Sequence, residues 1–391
     1  MEELRFPIYL DNHSTTRVDP RVFEAMVPYF VENYGNAASK HHEFGWHAEA
    51  GVETARKQIA NLIHAESDEL VFTSGATESI NLAIKGIAES YRSRGNHIIT
   101  VATEHKAVLD TCKRLEKYGF EVTVLPVDGE GVVAVDDLEK AITGKTILVS
   151  IMMANNEIGT VAPIQELGRV CRERGVPFHT DATQAVGKIA VDVKSMNIDL
   201  MSFSAHKMYG PKGVGGLFVR NASPKLKVAA QLDGGGHERG MRSGTLNVPA
   251  IVGFGVAAKI AEAEMAEEGN RISQLRDRLE SIILAQVEDA SVNGSATRLP
   301  NNSNITFKQA EADKVMMSMK DIAVSSGSAC SSAEPKPSHV LRAIGLSDLD
   351  AKCSIRFGLG RFTLEQEIDY AAERVKEAVS SVREKRMRYA S

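Results

Sequence analysis

The sequence predicts an α/β fold with a large domain built on a mostly parallel sheet and a second, smaller α+β domain. From Glu69 to Phe203, short apolar runs alternate with helical patterns, which indicates a parallel sheet covered by helices on both faces. After Val248 the pattern changes to long charged helices separated by isolated strands. We expect the N-terminal strand to join this second part, which gives domains of residues 16–257 and of residues 1–15 with 258–391.

Strands and helices follow from apolar spacing and from the residues that begin and end each element. Asp19 and Pro20 are typical of the N-cap and first turn of a helix, predicted to end near Gly35, and Gly95 ends another helix. The predicted strands are Ile8–Leu10, Glu69–Thr73, His97–Val101, Val122–Leu125, Thr146–Met152, Val176–Thr180, Ile198–Phe203, Asn304–Phe307, Ile322–Ser325 and Ser354–Phe357. The other predicted helices are one ending near His64, Ala76–Arg94, one from Ala107, Val135–Ile142, Ile164–Arg174, Ala257–Gln286 with a break near Gly269, Ala310–Lys320 and Leu364–Lys385.

Composition excludes several classes of function. The chain has 391 residues, 43% of them hydrophobic, and a net charge of −5, so it offers no basic footprint for nucleic acid or for a membrane surface. No apolar run approaches the roughly 20 residues of a membrane span, and the N-terminus does not resemble a signal peptide. The four cysteines form no C-x-x-C pair, which argues against a zinc site or a disulfide framework. We expect a cytoplasmic protein with reduced thiols.

A lysine and an aspartate at two strand ends carry the strongest chemical signal. Lys207 closes the strand that ends at Phe203 and is followed by a glycine-rich turn from Gly210 to Gly216. A lysine at the carboxyl edge of a parallel sheet suits an imine with an aldehyde cofactor, above all pyridoxal phosphate (PLP). Asp181 ends a neighbouring strand, where a carboxylate would keep the pyridine nitrogen of PLP protonated. The alternative for Lys207 alone is a surface lysine at a strand end.

Further polar residues fall at the same predicted edge. The SGAT turn places Gly75 and Thr77 at a strand-to-helix junction, where exposed amides favour a phosphate. His105, Asn156 and Gln184 follow three other strands. Each has a structural alternative, as a helix cap, a turn residue and a solvated side chain respectively. Their placement at one edge of one sheet nevertheless indicates a shared site.

Cys330 lies in the segment Ser325–Ser338, SSGSACSSAEPKPS, which has no apolar periodicity. Its serines, glycine and prolines predict an exposed loop, and we expect this to be the most mobile internal segment. A helix is predicted to begin near Ser338. Free cysteines are usually buried and inert, but a cysteine on a polar loop in a chain with a PLP lysine suggests a reactive thiol.

The motifs together identify a family. FTSGATESINLAIKG, TEHKAVLDTC, NNEIGT, DATQAVGK, SFSAHKMYGPKGVGG, GGGHERGMRSGTLNV, SSGSACSSAEPKPSHVLRAIGL and SIRFGLGRFT resemble cysteine desulfurases of the NifS/IscS family, in the subgroup with a long catalytic loop. The resemblance covers nearly the whole chain. It implies the aspartate-aminotransferase-like fold, fold type I of the PLP enzymes, and a homodimer.

The resemblance also implies a role for each matching residue. Lys207 would hold PLP covalently and move the substrate α-proton, and Cys330 would take the sulfur. His105, also implied as catalytic, would stack on the cofactor ring and shuttle protons. Asp181 would pair with the pyridine nitrogen, and Gln184 would bond the ring hydroxyl. The phosphate would be held by Ala76, Thr77, Ser204 and His206. Thr245 would reach the phosphate from the neighbouring subunit. Asn156 and Arg356 would bind the substrate carboxylate. No resident metal is implied, and Cys330 is a candidate transient ligand of an iron–sulfur cluster in a complex with a scaffold.

The implied reaction converts L-cysteine to L-alanine and leaves a persulfide on Cys330. An iron–sulfur scaffold protein or another sulfur acceptor would then receive the sulfur. After the last predicted helix only KRMRYAS remains, whereas relatives that serve a scaffold often continue further, so the scaffold is less firmly implied than the activity. The alternatives are a selenocysteine lyase or other fold type I PLP enzyme, and an inactive homologue that acts as a binding protein.

Overall fold

The computed structural model describes residues 4–223, 225–326 and 337–390, except for the side chains of 388–390. The strands are β1 (Ile8–Tyr9), β2 (Leu70–Thr73), β3 (His97–Val101), β4 (Glu121–Leu125), β5 (Thr146–Ser150), β6 (Phe178–Asp181), β7 (Leu200–Ser204), β8 (Gly215–Val219), β9 (Ala290–Val292), β10 (Asn302–Phe307), β11 (Ile322–Ala323) and β12 (Ser354–Gly358). The helices are α1 (Pro20–Met26), α2 (Pro28–Val31), α3 (Glu43–Leu62), α4 (Ala76–Tyr91), α5 (Lys106–Glu116), α6 (Val135–Ala141), α7 (Ile164–Arg174), α8 (Val248–Gln286), α9 (Ala312–Ser318), α10 (His339–Ala343), α11 (Asp348–Lys352) and α12 (Glu365–Ala390).

A large sheet runs in the order β2-β8-β7-β6-β5-β3-β4. Neighbours from β7 to β4 pair in parallel, and β8 is antiparallel to both β7 and β2. The predicted mostly parallel sheet is therefore confirmed. Successive residues of a strand belong to different apolar clusters, as Ile98 and Ile99 of β3 do. Both faces of the sheet are accordingly packed against helices, as a parallel sheet requires.

Strand β8 corrects the prediction of a glycine-rich turn that extends to Gly216. Gly215 and Gly216 instead begin β8, which lies between β2 and β7. A Cβ atom on Gly215 would lie 2.6 Å from the Cα of Gly75, and one on Gly216 would lie 2.9 Å from the Phe203 ring. Gly215 thus allows the backbone of Gly75 to approach β8 closely, and Gly216 allows the ring of Phe203 to do so. Glycine within a strand often marks such a close approach.

Two smaller sheets lie in the second part of the chain. One has the order β12-β10-β9, and the other pairs β1 with β11 in parallel. Ile8 and Leu10 share an apolar cluster with residues of α8, α9 and α12. This packing supports our proposal that residues 1–15 belong with residues 258–391.

Helix α8 differs from the prediction, because it begins at Val248 and continues through Gly269 without a break. Its first part packs on the large sheet and its second part, from Ile272, packs in the other cluster. One glycine costs a helix only about 1 kcal/mol, and packing at both ends outweighs that cost. The proposed domain boundary at residue 257 therefore falls inside a continuous helix.

Other departures are local. The helix predicted from Asp19 to Gly35 is divided into α1 and α2, and the second begins at Pro28. The short elements β9 and α11 were not predicted, whereas α10 begins where a helix was expected, with Ser338 as its N-cap. Among the described helices, none is both long enough and apolar enough to cross a membrane.

Candidate active site

A cavity of about 850 Å³ lies at the carboxyl ends of the parallel strands and reaches the second part of the chain. The sequence-predicted site residues that line it are Ala76, Thr77, His105, Asn156, Asp181, Gln184, Ser204, His206, Lys207 and Arg356. These residues are widely separated along the chain. Parallel strands place their carboxyl ends at one edge of the sheet, which brings these residues together, and β12 of the smaller sheet adds Arg356.

Lys207 lies in a 3₁₀ turn, Ala205–Lys207, that directly follows β7. Its Nζ atom donates to the carbonyl oxygens of His13, at 2.5 Å, and Ser14, at 2.7 Å. Burial, with the Arg356 charge as the next cause, lowers the pKa of Lys207 to about 8. An amine in this environment is deprotonated far more often near neutral pH than a solvated lysine, and it is the neutral form that attacks a carbonyl carbon.

The start of α4 forms an anion-binding cradle beside Lys207. Gly75 is the N-cap of this helix with φ +152°, a conformation that glycine adopts readily. The first amides of a helix, here those of Ala76 and Thr77, have no acceptor within the helix and favour a bound anion. Ser204 and His206 line the same wall of the cavity. Burial lowers the pKa of His206 to about 4, with smaller contributions from Lys207 and Lys212.

Asp181 and His105 supply the other groups that a pyridine ring needs. The Asp181 Oδ1 atom accepts bonds from the amide and the hydroxyl of Thr183, at 2.9 and 2.5 Å. The Nδ1 atom of His105 accepts from the Ala107 amide at 3.1 Å, so this histidine caps α5 and also lines the cavity. An amine, a phosphate cradle, a carboxylate and a flat ring together fit PLP.

His13 is a site residue that the sequence reasoning missed. Its ring bonds to the Gln184 side chain at 3.0 Å and to the Asn302 amide at 3.1 Å, and its carbonyl oxygen accepts from Gln184 Nε2. Burial, followed by the charge of Arg356, lowers the pKa of His13 to about 3. His13 is therefore neutral and fixes both Gln184 and, through its carbonyl oxygen, Lys207. The DNHSTT turn after β1 was the available signal.

Arg356 projects from β12 into the cavity and is held from three sides. Its Nη2 atom donates to Asp11 Oδ1 and to Ser14 Oγ, both at 2.9 Å, and its Nη1 atom donates to the carbonyl oxygen of Asn156 at 2.7 Å. Within the described part of the chain, its buried Nε has no hydrogen-bond partner. The guanidinium is thus oriented beside Asn156 at the cavity wall.

The backbone places both ends of the Cys330 segment beside this cavity. Ser325 exchanges two backbone hydrogen bonds with Arg356, at 2.7 and 3.4 Å. On the other side of the segment, Ser338 donates its hydroxyl to Glu157. Cys330 itself and the predicted mobility of its segment lie outside the described residues, because residues 327–336 are not described.

The remaining cysteines are poor candidates for a reactive thiol. Cys112, Cys171 and Cys353 are free and buried. Burial raises the pKa of both Cys112 and Cys171 to about 12, and it also raises the pKa of Cys353. Their thiolate fractions near neutral pH are therefore very small.

Thr245 is exposed, and the cavity of a single chain is lined without it. The nearby Arg242 donates to Glu78 of α4 at 2.8 Å, which connects this segment to the phosphate-cradle helix. The expectation that Thr245 acts on a neighbouring subunit stays a prediction.

Sequence reasoning also missed several other cavity residues. They are Ser14, Lys106, Glu157, His339 and Arg342. Lys106 and Glu157 each follow a predicted site residue in the TEHKA and NNEIG motifs, and that adjacency was the only local signal. His339 and Arg342 belong to α10, whose position is visible only after folding.

Comparisons with known proteins find similar sequences over nearly the whole chain. A family model described as Aminotransferase class-V matches residues 8–371. Cysteine desulfurase IscS of Anaeromyxobacter sp. (strain Fw109-5) is 56% identical over 382 residues, which cover 97% of this chain and 94% of the relative. The protein of that name from Rickettsia akari (strain Hartford) is 51% identical, with 98% and 93% covered.

Solved structures agree as well. A NifS-like protein has a TM-score of 0.89 and 38% identity, and the match covers 95% of this chain and 99% of that one. A structure of SspA in complex with cysteine has a TM-score of 0.81 and 38% identity, with 91% and 100% covered.

Proposed function

We propose how the residues of the cavity divide the reaction, from the premise that this chain belongs to the Aminotransferase class-V family and is a PLP-dependent cysteine desulfurase. The enzyme removes sulfur from L-cysteine, releases L-alanine and transfers the sulfur to an acceptor. When bound, PLP supplies a ring that withdraws electrons from the substrate α-carbon. All other steps depend on the chain's own residues.

Lys207 holds the cofactor and carries the α-proton. The observation that supports this role is its Nζ atom, aimed by the carbonyl oxygens of His13 and Ser14 and given a pKa of about 8. A base with a pKa near neutrality accepts and returns a proton efficiently. The same two carbonyl oxygens keep the amine at the cavity when it is free.

Four kinds of contact would hold PLP. The α4 amides of Ala76 and Thr77, with Ser204 and His206, would bind its phosphate. Asp181 would hold a proton on the pyridine nitrogen, Gln184 would bond the ring hydroxyl, and His105 would stack on the ring.

Arg356 and Asn156 bind the carboxylate of cysteine. Arg356 is one of the cationic residues that line the cavity, and its three described acceptors fix the direction of its guanidinium. The guanidinium N–H groups that these acceptors leave free would hold the carboxylate by charge-assisted hydrogen bonds. The substrate thiol is then directed away from this wall.

Cys330 accepts the sulfur as a persulfide. Its thiolate attacks the sulfur of cysteine, a new S–S bond forms, and the Cβ–S electron pair remains with the carbon skeleton that is protonated to alanine. The burial of the three described cysteines and the two segment ends beside Arg356 and Glu157 support this choice. We further propose a cytoplasmic homodimer, in which Thr245 of each subunit reaches the other's phosphate site, and an iron–sulfur scaffold as one acceptor.

The test is alanine release from L-cysteine by Cys330→Ala, with Cys112→Ala as the control that removes another thiol. Cys330→Ala should lose more than about 1,000-fold in rate while it retains PLP, since the nucleophile is gone. Cys112→Ala should remain active. Wild-type-like release by Cys330→Ala would overturn the role of this residue. If Cys330→Ala released alanine from selenocysteine as fast as wild type does, the selenocysteine lyase alternative would be favoured.

A further inference from the structure

The hydroxyl of Ser338 connects α10 to the cavity wall. Its Oγ atom donates to Glu157 Oε2 at 2.5 Å and accepts from the amides of Val340 and Leu341 at 3.1 and 3.2 Å. Ser338 and Glu157 are only 5% and 4% exposed. Since the serine lone pairs face two amides, the hydroxyl can only donate to the carboxyl group. This bond therefore requires a Glu157 oxygen that carries no proton.

Helix α10 has two further attachments near Glu157. The His339 Nε2 atom lies 2.9 Å from the carbonyl oxygen of Glu104. Val340, Leu341 and Ile344 form an apolar cluster with Ile158. The helix is thus held beside the turn that contains Glu157.

The turn around Glu157 is held by side-chain hydrogen bonds and lines the cavity. The Asn155 side chain accepts from the Glu157 amide at 2.8 Å, and Asn302 and Asn304 donate to the Glu157 carbonyl oxygen at 3.2 and 3.1 Å. The carbonyl oxygen of Asn156, the residue before Glu157, accepts a hydrogen bond from Arg356. The segment of Asn156 and Glu157 consequently contacts both Arg356 and the N-terminal end of α10.

We propose that Glu157 is a positioning residue that holds the carboxyl-terminal end of the Cys330 segment at the cavity through the hydroxyl of Ser338. The proposal rests on the proposed role of Cys330, which precedes Ser338 by eight residues in the chain. The contact fixes the described end of this segment relative to the wall that contains Asn156 and Arg356. Glu157 itself takes no part in bond breaking.

Charge makes this contact sensitive to pH near neutrality. Burial raises the pKa of Glu157 to about 7, against the lowering effects of Ser338, Arg356 and Lys106. Arg356 faces it from β12 and Lys106 from α5, and α10 contributes His339 and Arg342 to the same cavity. Above pH 7 the carboxylate is a strong acceptor for Ser338, whereas below pH 7 protonation weakens the contact.

Amide exchange tests the contact without relying on activity. Glu157→Gln is compared with Ser347→Ala, because Ser347 caps α11 in the same manner, with Asp350 as partner, away from the cavity. After correction for intrinsic exchange, the peptide covering Val340 and Leu341 should become more protected from pH 6 to pH 8 in wild type and in Ser347→Ala. In Glu157→Gln, the protection of this peptide should not change between pH 6 and pH 8. Equal pH dependence in Glu157→Gln would overturn the proposal.

Single-turnover persulfide formation on Cys330 supplies the second readout, in a double-mutant cycle. Glu157→Gln and Ser338→Ala should each slow this step by about 10-fold, and the double variant should be no slower than the slower single one. Full additivity, or slowing by Glu157→Gln alone, would overturn the proposal, since Glu157 would then act directly on the substrate. Failure of the proposed function gives a different pattern. Wild type would then form no persulfide on Cys330, whereas the pH dependence of amide exchange at Val340 and Leu341 would be unchanged.

Discussion

The Lys188 Nζ atom lies 3.9 Å from the centroid of the Tyr209 ring, and the Arg361 guanidinium carbon lies 4.3 Å from the same centroid. Glu268 balances both cations, at 3.5 Å from Lys188 Nζ and 2.7 Å from Arg361 Nε. Tyr209 follows Lys207 by two residues and has φ +63°. Cation–π contacts therefore hold the Tyr209 ring, while its backbone adopts a left-handed conformation two residues after Lys207.

Lys188→Met should change how stability depends on pH. Burial lowers the pKa of Lys188 to about 8 from 10.5. Between these values the unfolded chain binds a proton that the folded chain has released, so wild type gains stability, by about 3 kcal/mol at most, as pH rises from 8 to 10.5. The variant should lack this gain.

Thermal unfolding of wild type and Lys188→Met from pH 7 to pH 10.5 measures the difference. Lys259→Met, on an exposed position of α8, is the control and should follow wild type. A constant difference between wild type and Lys188→Met over this range would show that Lys188 does not titrate in it.

Lys188 also illustrates what the sequence could reveal. DATQAVGK contributed Asp181 and Gln184 to the predicted site because both follow a recognisable strand. Nothing local indicates that Lys188, seven residues after Asp181, packs against an aromatic ring and a glutamate of α8. Contacts between distant elements depend on the packing of the whole chain.

The sheet and its functional edge were predictable for a different reason. The strand from His97 to Val101 and the helix from Ile164 to Arg174 have the predicted bounds, because apolar periodicity and end signals are local. Strand β8 was not predicted, since Gly215 and Gly216 have low strand propensity and are selected by contacts with Gly75 and Phe203.

Glu104→Gln should be tolerated. Glu104 is fully buried, and burial, with Asp181 as a second cause, raises its pKa well above 4.5. Its Oε1 atom accepts from the Met152 amide at 2.6 Å, a bond that a glutamine oxygen can replace. The free energy of unfolding at pH 7 should change by less than about 1 kcal/mol, whereas Glu104→Leu should cost about 1–3 kcal/mol by leaving that amide unpaired.

The pH dependence separates the glutamine variant from wild type. Folding raises the pKa of this acid, so above pH 4.5 the unfolded chain releases a proton that the folded chain keeps, and wild type loses stability as pH rises. Glu104→Gln cannot ionise, and its stability relative to wild type should increase with pH in thermal scans from pH 5 to pH 8. A relative loss of stability with rising pH would contradict the protonated state of Glu104.

Gly75→Ala should weaken cofactor retention. A Cβ atom at this position would lie 3.9 Å from Ser204 Oγ, so it has room, but φ +152° is unfavourable for alanine by about 1–3 kcal/mol. Relief of this strain would move the first amides of α4 away from the phosphate. The dissociation constant for PLP, measured by titration of the cofactor-free protein, should rise about 10-fold. Gly144→Ala, which meets nothing within 4 Å, is the control and should bind PLP normally.

Thr245→Ala tests the contribution of a second subunit. Thr245 is exposed in one chain, and a cavity without it still contains the α4 cradle. If its hydroxyl bonds to the phosphate in the neighbouring subunit, its loss should weaken PLP binding by about 10-fold to 100-fold without lowering the thermal stability of the cofactor-free protein.

Lys207→Ala should abolish alanine release while the protein stays folded.

A mixed dimer of these two variants decides which subunit Thr245 serves. Co-expression with two affinity tags isolates a dimer with one Thr245→Ala chain and one Lys207→Ala chain. When Thr245 acts across the interface, the Thr245→Ala chain has an intact Lys207 and receives Thr245 from its partner, so one of the two sites is complete. The mixed dimer should then have about half the wild-type activity at limiting PLP, because a twofold-symmetric dimer exchanges equivalent contacts. If Thr245 served its own chain, neither site would be complete, and the mixed dimer would be no more active than half of the Thr245→Ala homodimer.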